Sequence, residues 1–440
     1  MAANRWKIGE QETAVKSRSP RPTQPSAQSP DTPRLGESIV NKAASASTDL
    51  AGPVAPVAAT PSDDLIAAFA PRADGAVGVK DYGHESKVDA PRFRPIPLET
   101  QTIYAELMDH LEAADMVRSF GDLDGNIVSR DRDGADHWYF RTSEGGQGRQ
   151  EFYIGPDNEP TRLLIRNYEQ QRAASAATHE RTVRLSSMLR TSGIEVVDLT
   201  TEKIIQGMAS AGMFRLGGVL VGTHAFVAIG NALGVRWTSG VHTQDVDFAT
   251  PRTIAIGLPQ SPVTSADIPA AIEALGMGFI PHVRLHSASK ATTYLVRGTS
   301  TRIDFVTSPQ GGDRESPVRM PRFNAYAQPL EFMSYLMEKS FHGSVINRGA
   351  TLVNLPEPAR FAIHKLLVAS NRAARHATKI IKDRQQAFDL LSYLQQERPG
   401  DIELAVEDLV SRGESWRQRV VAQATKMPGT IHGLDNLLNH

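Results

Sequence analysis

The stretch from Gly217 to Asp247 constrains the fold more than any other part of the chain. Val219–Val221 is a short apolar run, which is typical of a buried strand. A glycine turn at Gly222 ends this run, and the residues from Ala225 to Leu233 have helical spacing. A second strand is predicted to begin at Asp245. The order of strand, tight turn, helix and strand indicates an α/β fold.

Three acidic residues mark the strands of this predicted core. Asp245 and Asp247 are two positions apart, so on a strand their side chains lie on the same face and repel each other. Asp304 interrupts a second apolar run, between Ile303 and Phe305, where an unpaired buried carboxylate is costly. A divalent cation is the usual means of stabilising such a cluster. We therefore predict a Mg²⁺ or Mn²⁺ site formed by the three aspartates.

The glycine turn points to the same kind of ligand. A glycine turn that leads into a helix offers free backbone N–H groups and the positive end of the helix dipole to an anion. Gly222 and Thr223 are therefore candidate phosphate-binding residues, and His224 is expected to pack near the sheet. The alternative is that Asp245 and Asp247 are ordinary surface acids at the end of a strand.

These residues resemble the polymerase-β nucleotidyltransferase superfamily. The superfamily has an apolar residue, Gly, and Gly or Ser before a helix, then Asp-x-Asp on the next strand and one later Asp. Gly222-Thr223, Asp245, Asp247 and Asp304 match this pattern, with Thr in place of Gly or Ser. The resemblance implies a nucleotidyltransferase-fold mixed sheet with helices, and the three aspartates as its metal ligands.

Two further segments carry a resemblance. Lys365, Arg372 and Lys382-Asp383 are similar to the helical tail of minimal bacterial nucleotidyltransferases, which include those of abortive-infection systems. The segment HWYFRTSEGGQGRQEFYIGP resembles the front of a bacterial family of nucleotidyltransferase-fold proteins. This similarity covers about Pro97 to Gln423. The resemblance of the tail implies that Lys365, Arg372 and Lys382 bind the phosphates of a nucleotide.

The implied reaction is the transfer of an NMP from an NTP to an acceptor hydroxyl, with release of pyrophosphate. The acceptor can be an RNA end, a protein or a small molecule, and the sequence does not choose among them. Two other functions stay open. One is a nucleotide-binding regulator that has lost turnover, and the other is a nucleic-acid-binding protein.

The composition bears on the cellular compartment of the protein. The chain has 440 residues, no cysteine and a formal net charge of −1. The absence of cysteine excludes disulfides and thiolate metal sites and favours the cytoplasm. The sequence shows no apolar run long enough to span a bilayer, and its first residues lack the apolar core of a signal peptide.

Changes in composition divide the chain into four predicted parts. The first is a disordered tail, because it is rich in Pro, Ser and Ala and has too few large apolar residues to form a core. A helix, a small antiparallel β-meander and a long linker helix follow. The catalytic domain and a helical C-terminal domain complete the chain. The predicted boundaries of the four parts are 1–95, 96–200, 201–356 and 357–440.

The predicted meander has two interpretations. Its strands alternate around a turn at Gly145-Gly146, and arginines that include Arg141 and Arg149 stand among its aromatic residues. Such a surface can bind nucleic acid through phosphate contacts and base stacking. The alternative, which we favour, is a small sheet whose aromatic residues pack against neighbouring helices.

Local signals predict where some helices begin. Thr200 or Thr201 is expected to cap one helix, and Ser265 is expected to cap another. A helix is predicted over Leu330 to Met337, and Pro358 is suited to the first position of a C-terminal helix.

Overall fold

The computed structural model describes the chain from residue 92 onward with several gaps. The described residues are 92–117, 125–132, 134–142, 151–239, 243–251, 265–282, 290–309, 311, 315–434 and 437. Residues 1–91, Gly145-Gly146 and Arg149 therefore lie outside them. Among the described helices, none is long and apolar enough to cross a membrane.

Ten α-helices and fourteen strands are present in the described residues. The helices are α1 Leu98–Met116, α2 Glu159–Thr191, α3 Leu199–Ser210, α4 Gly222–Ala232, α5 Ile268–Ala274, α6 Met333–Met337, α7 Pro358–Asn371, α8 Ala377–Glu397, α9 Pro399–Ser411 and α10 Glu414–Ala424. The strands are β1 Phe93–Pro95, β2 Gly125–Arg132, β3 Ala135–Thr142, β4 Glu151–Pro156, β5 Val219–Val221, β6 Val235–Trp237, β7 Asp245–Ala249, β8 Phe279–His282, β9 Thr293–Val296, β10 Arg302–Thr307, β11 Val318–Met320, β12 Ala325–Pro329, β13 Ser340–Ile346 and β14 Ala350–Pro356.

A mixed seven-stranded sheet forms the centre of the fold. Its main path is β11-β12-β10-β7-β5, and β9 also pairs with β10 and carries β8 at its other edge. β7 and β10 are parallel, whereas β5 is antiparallel to β7. The predicted α/β class is confirmed, and the two strands that carry the aspartates are neighbours as expected.

Alternation along β7 and β10 sends apolar side chains into the core. Val246, Phe248, Ile303 and Phe305 are almost completely buried, and the rings of Phe248 and Phe305 stack with centroids 5.8 Å apart. Because side chains alternate along a strand, the polar residues between them are left on the opposite face. The burial of one face thus fixes the orientation of the acids on the other.

The C-terminal helices share the core of the sheet. Buried residues of α4, α7 and α8 belong to one apolar cluster with those of the central strands, and Phe226 of α4 stacks on Phe361 of α7 with centroids 6.4 Å apart. α7 begins at Pro358, as predicted, and Glu357 caps it by accepting hydrogen bonds from the N–H groups of Ala359 and Arg360.

The front of the described chain is a three-stranded meander packed on a helix. The strand order is β2-β3-β4. Phe140 and Phe152 are buried together with Tyr168 of α2, and the Tyr168 hydroxyl donates a hydrogen bond to the carbonyl of Gly125 at 3.1 Å. The aromatic residues of this face therefore pack against a helix, as in the interpretation that we favoured.

Three of the predicted element starts are wrong. Asp198 caps α3, because its carboxylate accepts from the N–H of Thr201 at 3.0 Å, and Asp267 caps α5 through the N–H of Ala270 at 3.0 Å. In both helices the carboxylate belongs to the residue three positions before the N–H group, which is the usual capping geometry. The predicted hydroxyls of Thr200, Thr201 and Ser265 are not the caps of these helices. α6 begins at Met333, since Leu330 still bonds through its N–H to the carbonyl of Thr307 as an extension of the sheet.

Order also begins before the predicted limit of the tail. Phe93–Pro95 forms strand β1 and pairs with β6. The Phe93 ring contacts Tyr393 edge-on at a centroid distance of 5.2 Å, and the Arg92 guanidinium lies 4.9 Å from the centre of the Phe388 ring. These contacts tie the start of the described chain to α8.

Candidate active site

Four polar side chains share one face of the central sheet where β7 and β10 run in parallel. The register places Asp247 opposite Asp304 and Asp245 opposite Arg302. Paired residues of neighbouring strands point to the same side, so the three predicted acids and one arginine form a single group. The structure therefore brings Asp245, Asp247 and Asp304 together as the sequence predicted.

Gly222 is the residue that lets α4 begin directly beside Asp247. Val221, which precedes it, is the register partner of Asp247 on β5. Gly222 has a φ of +73°, and a Cβ atom added to it would collide with the Asp247 carboxylate. Only glycine combines this backbone conformation with this close approach. Thr223 follows within the first turn of α4 and is buried.

The Asp247 carboxylate has an unfavourable environment. Among the described residues, no donor hydrogen-bonds to it. Burial, followed by repulsion from Asp304, raises the pKa of Asp247 to about 6, although Lys365 and Arg302 act in the opposite direction. A carboxylate in this position gains from a bound cation.

Arg302 is the cation that contacts the acids directly. Its Nε lies 2.6 Å from Oδ2 of Asp304, and one of its terminal nitrogens lies 3.6 Å from Oδ2 of Asp245. Asp304 also accepts a hydrogen bond from the Thr293 hydroxyl at 2.5 Å. Our sequence reasoning did not include Arg302, although its position two residues before Asp304 on a strand was a signal that the two share a face.

The donor set suits a hard divalent cation. Mg²⁺ prefers carboxylate oxygens and is usually held by one or two of them together with phosphate. The Arg302 guanidinium contacts Asp245 and Asp304 and supplies a positive charge between their oxygens. Within the described ranges, no three His, Cys, Asp or Glu side chains already stand at the spacing of a preformed metal site. The residues fit the chemistry of a metal, while their present geometry accommodates the arginine.

Two of the three predicted phosphate-binding residues of the C-terminal helices, Lys365 and Arg372, meet at one carboxylate. Lys365 donates to Oδ1 of Asp383 at 3.1 Å, and Arg372 donates to Oδ2 of the same residue at 2.8 Å. Burial acts to raise the pKa of Asp383, but the two cations outweigh it and hold that pKa below its usual range. Lys382 is half-buried on α8, and burial together with nearby Lys365 lowers its pKa. The sequence predicted the neighbourhood of these cations but not their shared partner.

Two buried histidines lie near these charges. Burial lowers the pKa of His224 to about 4 and that of His364 to about 3, so both imidazoles are neutral at neutral pH. In the described part of the chain, neither Nε2 atom has a hydrogen-bond partner. His224 lies in the first turn of α4 and is buried, as expected from the sequence. His364 was not singled out by sequence reasoning, because a buried histidine on a helix has no distinctive local pattern.

The acids open into a cleft of about 430 Å³ that is bordered by positive charges. Its lining includes Asp245, Asp247, Asp304, Arg302, His282, Lys290, Thr292, Thr293, Glu315, Arg372 and Lys379. Three acids surrounded by cationic side chains suit an anionic ligand that binds together with metal ions. A larger cavity of about 590 Å³ between α1, β13, α7 and α9 shares no lining residue with this cleft.

In the meander, the Arg141 side chain pairs with an acidic residue of the neighbouring strand. Arg141 forms an ion pair with Glu151 at 2.9 Å, and Arg130 reaches the same carboxylate at 2.7 Å. Arg149 lies outside the described residues. Contact of Arg141 with nucleic acid therefore stays the untested alternative, and the structure shows the side chain engaged within the sheet.

One family model matches the central region of the chain. Residues 200–411 match a family model described as Nucleotidyltransferase. The match covers just under half of the 440 residues and extends from α3 to the end of α9. It includes the three aspartates, Gly222, Thr223 and the three C-terminal cations. The predicted nucleotidyltransferase superfamily is thus supported for the region that forms the site.

The comparisons with solved structures and with curated proteins give no further information about the site. A crystal structure of an antigenic nucleotidyltransferase-like protein from Paracoccidioides brasiliensis is similar at 12% identity and a TM-score of 0.25, covering 51% of this chain and 92% of that one. A likeness at this level carries no argument about the site. Among curated proteins, none matches this sequence.

Proposed function

We propose that the protein is a metal-dependent nucleotidyltransferase that moves an NMP from an NTP to an acceptor hydroxyl. The observation that carries the proposal is the register of β7 and β10, which sets Asp247 opposite Asp304 on the face that also bears Asp245. The start of α4 at Gly222 approaches these acids closely. The match of residues 200–411 to a nucleotidyltransferase family supports the same conclusion.

Asp245, Asp247 and Asp304 are the residues that would hold Mg²⁺ or Mn²⁺. When bound, such ions neutralise phosphate charge and stabilise the entering and leaving oxygens of a phosphoryl transfer. The protein's own contribution is to hold the three carboxylates on one rigid pair of strands. The start of α4 at Gly222 lies beside Asp247, and free N–H groups at the start of a helix favour an anionic ligand.

Lys365, Arg372 and Lys382 would neutralise the triphosphate. Lys365 and Arg372 each use a donor on Asp383, but an ammonium has three N–H groups and a guanidinium has five. The remaining donors can reach a phosphate while Asp383 keeps the side chains oriented. In phosphoryl transfer, such positioning and electrostatics supply most of the catalysis.

The proposed reaction is a single displacement. The acceptor hydroxyl gives its proton to solvent, and its oxygen forms a bond to the α-phosphorus. The bond from that phosphorus to the bridging oxygen of the β-phosphate breaks, and pyrophosphate leaves with the electron pair. An RNA end, a protein hydroxyl and a small molecule all supply the required oxygen. The resemblance of Lys365, Arg372 and Lys382-Asp383 to the helical tail of minimal bacterial nucleotidyltransferases supports this reaction.

The test is transfer of label from NTPs to cellular acceptors. We would incubate the full chain with each α-³²P-labelled NTP, Mg²⁺, and total cellular RNA or protein, and measure label in the macromolecule. Asp247→Asn should abolish transfer, whereas Asp109→Asn, which changes an exposed acid on α1, should not. Transfer that survives Asp247→Asn contradicts the assignment of the site. NTP binding without transfer to any acceptor would instead favour the nucleotide-binding regulator.

A further inference from the structure

Arg302 contacts two of the three acids that are proposed to bind metal. We propose that Arg302 is a positioning residue that holds Asp245 and Asp304 together until a divalent cation binds, and that it competes with the cation for their oxygens. This inference rests on the proposed function, because it concerns the same three carboxylates. It adds a residue that neither the sequence pattern nor the family match identifies.

The contacts of Arg302 are those of a bridging cation. Its Nε lies 2.6 Å from Oδ2 of Asp304, while a terminal nitrogen lies 3.6 Å from Oδ2 of Asp245. The two acids belong to different strands, so the guanidinium joins β7 to β10 on the face of the site. A divalent cation bound by these acids would need the same oxygens.

The arginine is also the member of the group that is free to move. Its side chain is 40% exposed, whereas that of Asp304 is 14% exposed. Asp304 is fixed by strand pairing to β7 and β9 and by the hydrogen bond from Thr293. Displacement of the guanidinium into the cleft therefore requires rotation of its side chain and no change in the sheet.

Other nearby cations do not fill this role. Lys365 donates to Asp383 at 3.1 Å, and Arg372 donates to the other oxygen of the same carboxylate. Within the described residues, Arg302 is the side chain that forms ion pairs with Asp245 and Asp304. Without it, three carboxylates would face one another with no cation in contact, which is costly.

The experiment is a titration of the full chain with Mn²⁺, in which electron paramagnetic resonance measures the concentration of the free ion. Arg302→Gln should bind Mn²⁺ about tenfold more tightly than the parent protein, because the ion no longer has to displace a positive charge from the carboxylates. Arg302→Lys keeps the charge but not the fork that reaches both acids, so its affinity should lie between the two. The matched control is Arg319→Gln, which removes an exposed arginine from β11 of the same sheet and should leave the affinity unchanged.

Thermal midpoints separate competition from a purely structural role. Without metal, Arg302→Gln should melt below the parent protein, because the acids repel. With saturating Mn²⁺, the difference should disappear, since the ion replaces the guanidinium. A structural arginine would lower the midpoint equally in both conditions.

The outcomes distinguish this inference from the proposed function. If the parent protein binds Mn²⁺ and all Arg302 variants bind it with the same affinity, the competition is refuted and the metal site stands. Equal destabilisation with and without Mn²⁺ refutes it as well. If neither the parent protein nor the variants bind Mn²⁺, both the inference and the metal-dependent function fail.

Discussion

Asp247 is the residue at which the fold and the proposed chemistry conflict most clearly. Its neighbours on β7 are buried, its partner on β10 is another aspartate, and no described donor satisfies it. The protein therefore keeps a destabilising group at the centre of its sheet. Groups that destabilise the fold are expected at functional sites. The environment of Asp247 leads to a first prediction, and a second concerns a nearby cation.

The first consequence is a pH dependence of stability without metal. Burial and repulsion raise the pKa of Asp247 from 3.8 to about 6, so the folded state holds a proton that the unfolded chain releases. The contribution of Asp247 to the free energy of unfolding is therefore complete below about pH 4 and is lost as the pH rises to about 6. Asp247→Asn should remove this loss and stabilise the metal-free protein at pH 7 by up to about 3 kcal/mol. Urea unfolding in EDTA across this range measures the effect.

The control for this prediction is Asp109→Asn, since Asp109 is exposed on α1. It should unfold with the same pH profile as the parent protein. If Asp247→Asn keeps the profile of the parent protein, the raised pKa is wrong.

The second prediction concerns Lys365, whose charge lowers the pKa of Asp247. Lys365→Ala should weaken NTP binding by roughly tenfold, because one charge-assisted contact to phosphate is lost. Arg372 still pairs with Asp383 in this variant, so the fold should persist. Isothermal titration with NTP and Mg²⁺ gives the affinity, and Lys426→Ala on the exposed surface is the matched control. An unchanged affinity would remove Lys365 from the nucleotide site.

At the scale of elements, the strands that carry the acids were the most predictable part. Alternation of apolar and acidic residues in β7 and β10, and the glycine that begins α4, are local signals that the structure follows. The ion pair of Arg302 with Asp245 and the meeting of Lys365 and Arg372 at Asp383 were not predictable. These contacts join different elements, and their existence depends on sheet register and helix packing.

Local capping signals were less reliable than strand alternation. Asp198 and Asp267 displaced the predicted hydroxyl caps, because several polar residues precede each helix and only the three-residue spacing to a free N–H group decides among them. β1 and β6 were not predicted, because their sequences, FRP and VRW, lack a continuous apolar run. The equally short β5 was predicted because its three residues, VLV, are all apolar.

The meander gives a prediction about an element. Since Arg141 already pairs with Glu151 and the aromatic residues Phe140 and Phe152 are buried, we expect the double change of Arg141 and Arg149 to Ala to leave RNA and DNA affinity unchanged. The measurement is fluorescence anisotropy at several salt concentrations. Weaker binding with a flatter salt dependence would establish the meander as a nucleic-acid surface.

At the scale of the whole molecule, the sheet and the C-terminal helices form one core. The cleft depends on this arrangement, because its acids lie on strands and its cations include residues of the C-terminal helices. The predicted boundary between a catalytic and a helical domain divides the elements in chain order. Residues from both predicted parts line the cleft.

The start of the described chain tests how far this core extends. Removal of residues 1–91 should leave the free energy of unfolding nearly unchanged, because that segment is poor in large apolar residues. Removal of residues 1–95 also deletes β1, the contact of Phe93 with Tyr393 and that of Arg92 with Phe388. We expect this longer deletion to cost about 2–4 kcal/mol. Urea unfolding compares the two, and a large loss from the shorter deletion would contradict the prediction.

Calorimetric titration of the full chain with each NTP, with and without Mg²⁺, measures whether nucleotide binding depends on a metal at the three aspartates. We expect at least one NTP to bind the parent protein in a Mg²⁺-dependent manner, and we expect Asp247→Asn to lose this dependence while Asp109→Asn keeps it. If Asp247→Asn binds the same NTP with the same affinity and the same Mg²⁺ dependence as the parent protein, the three aspartates are not the metal site and the proposed function is contradicted.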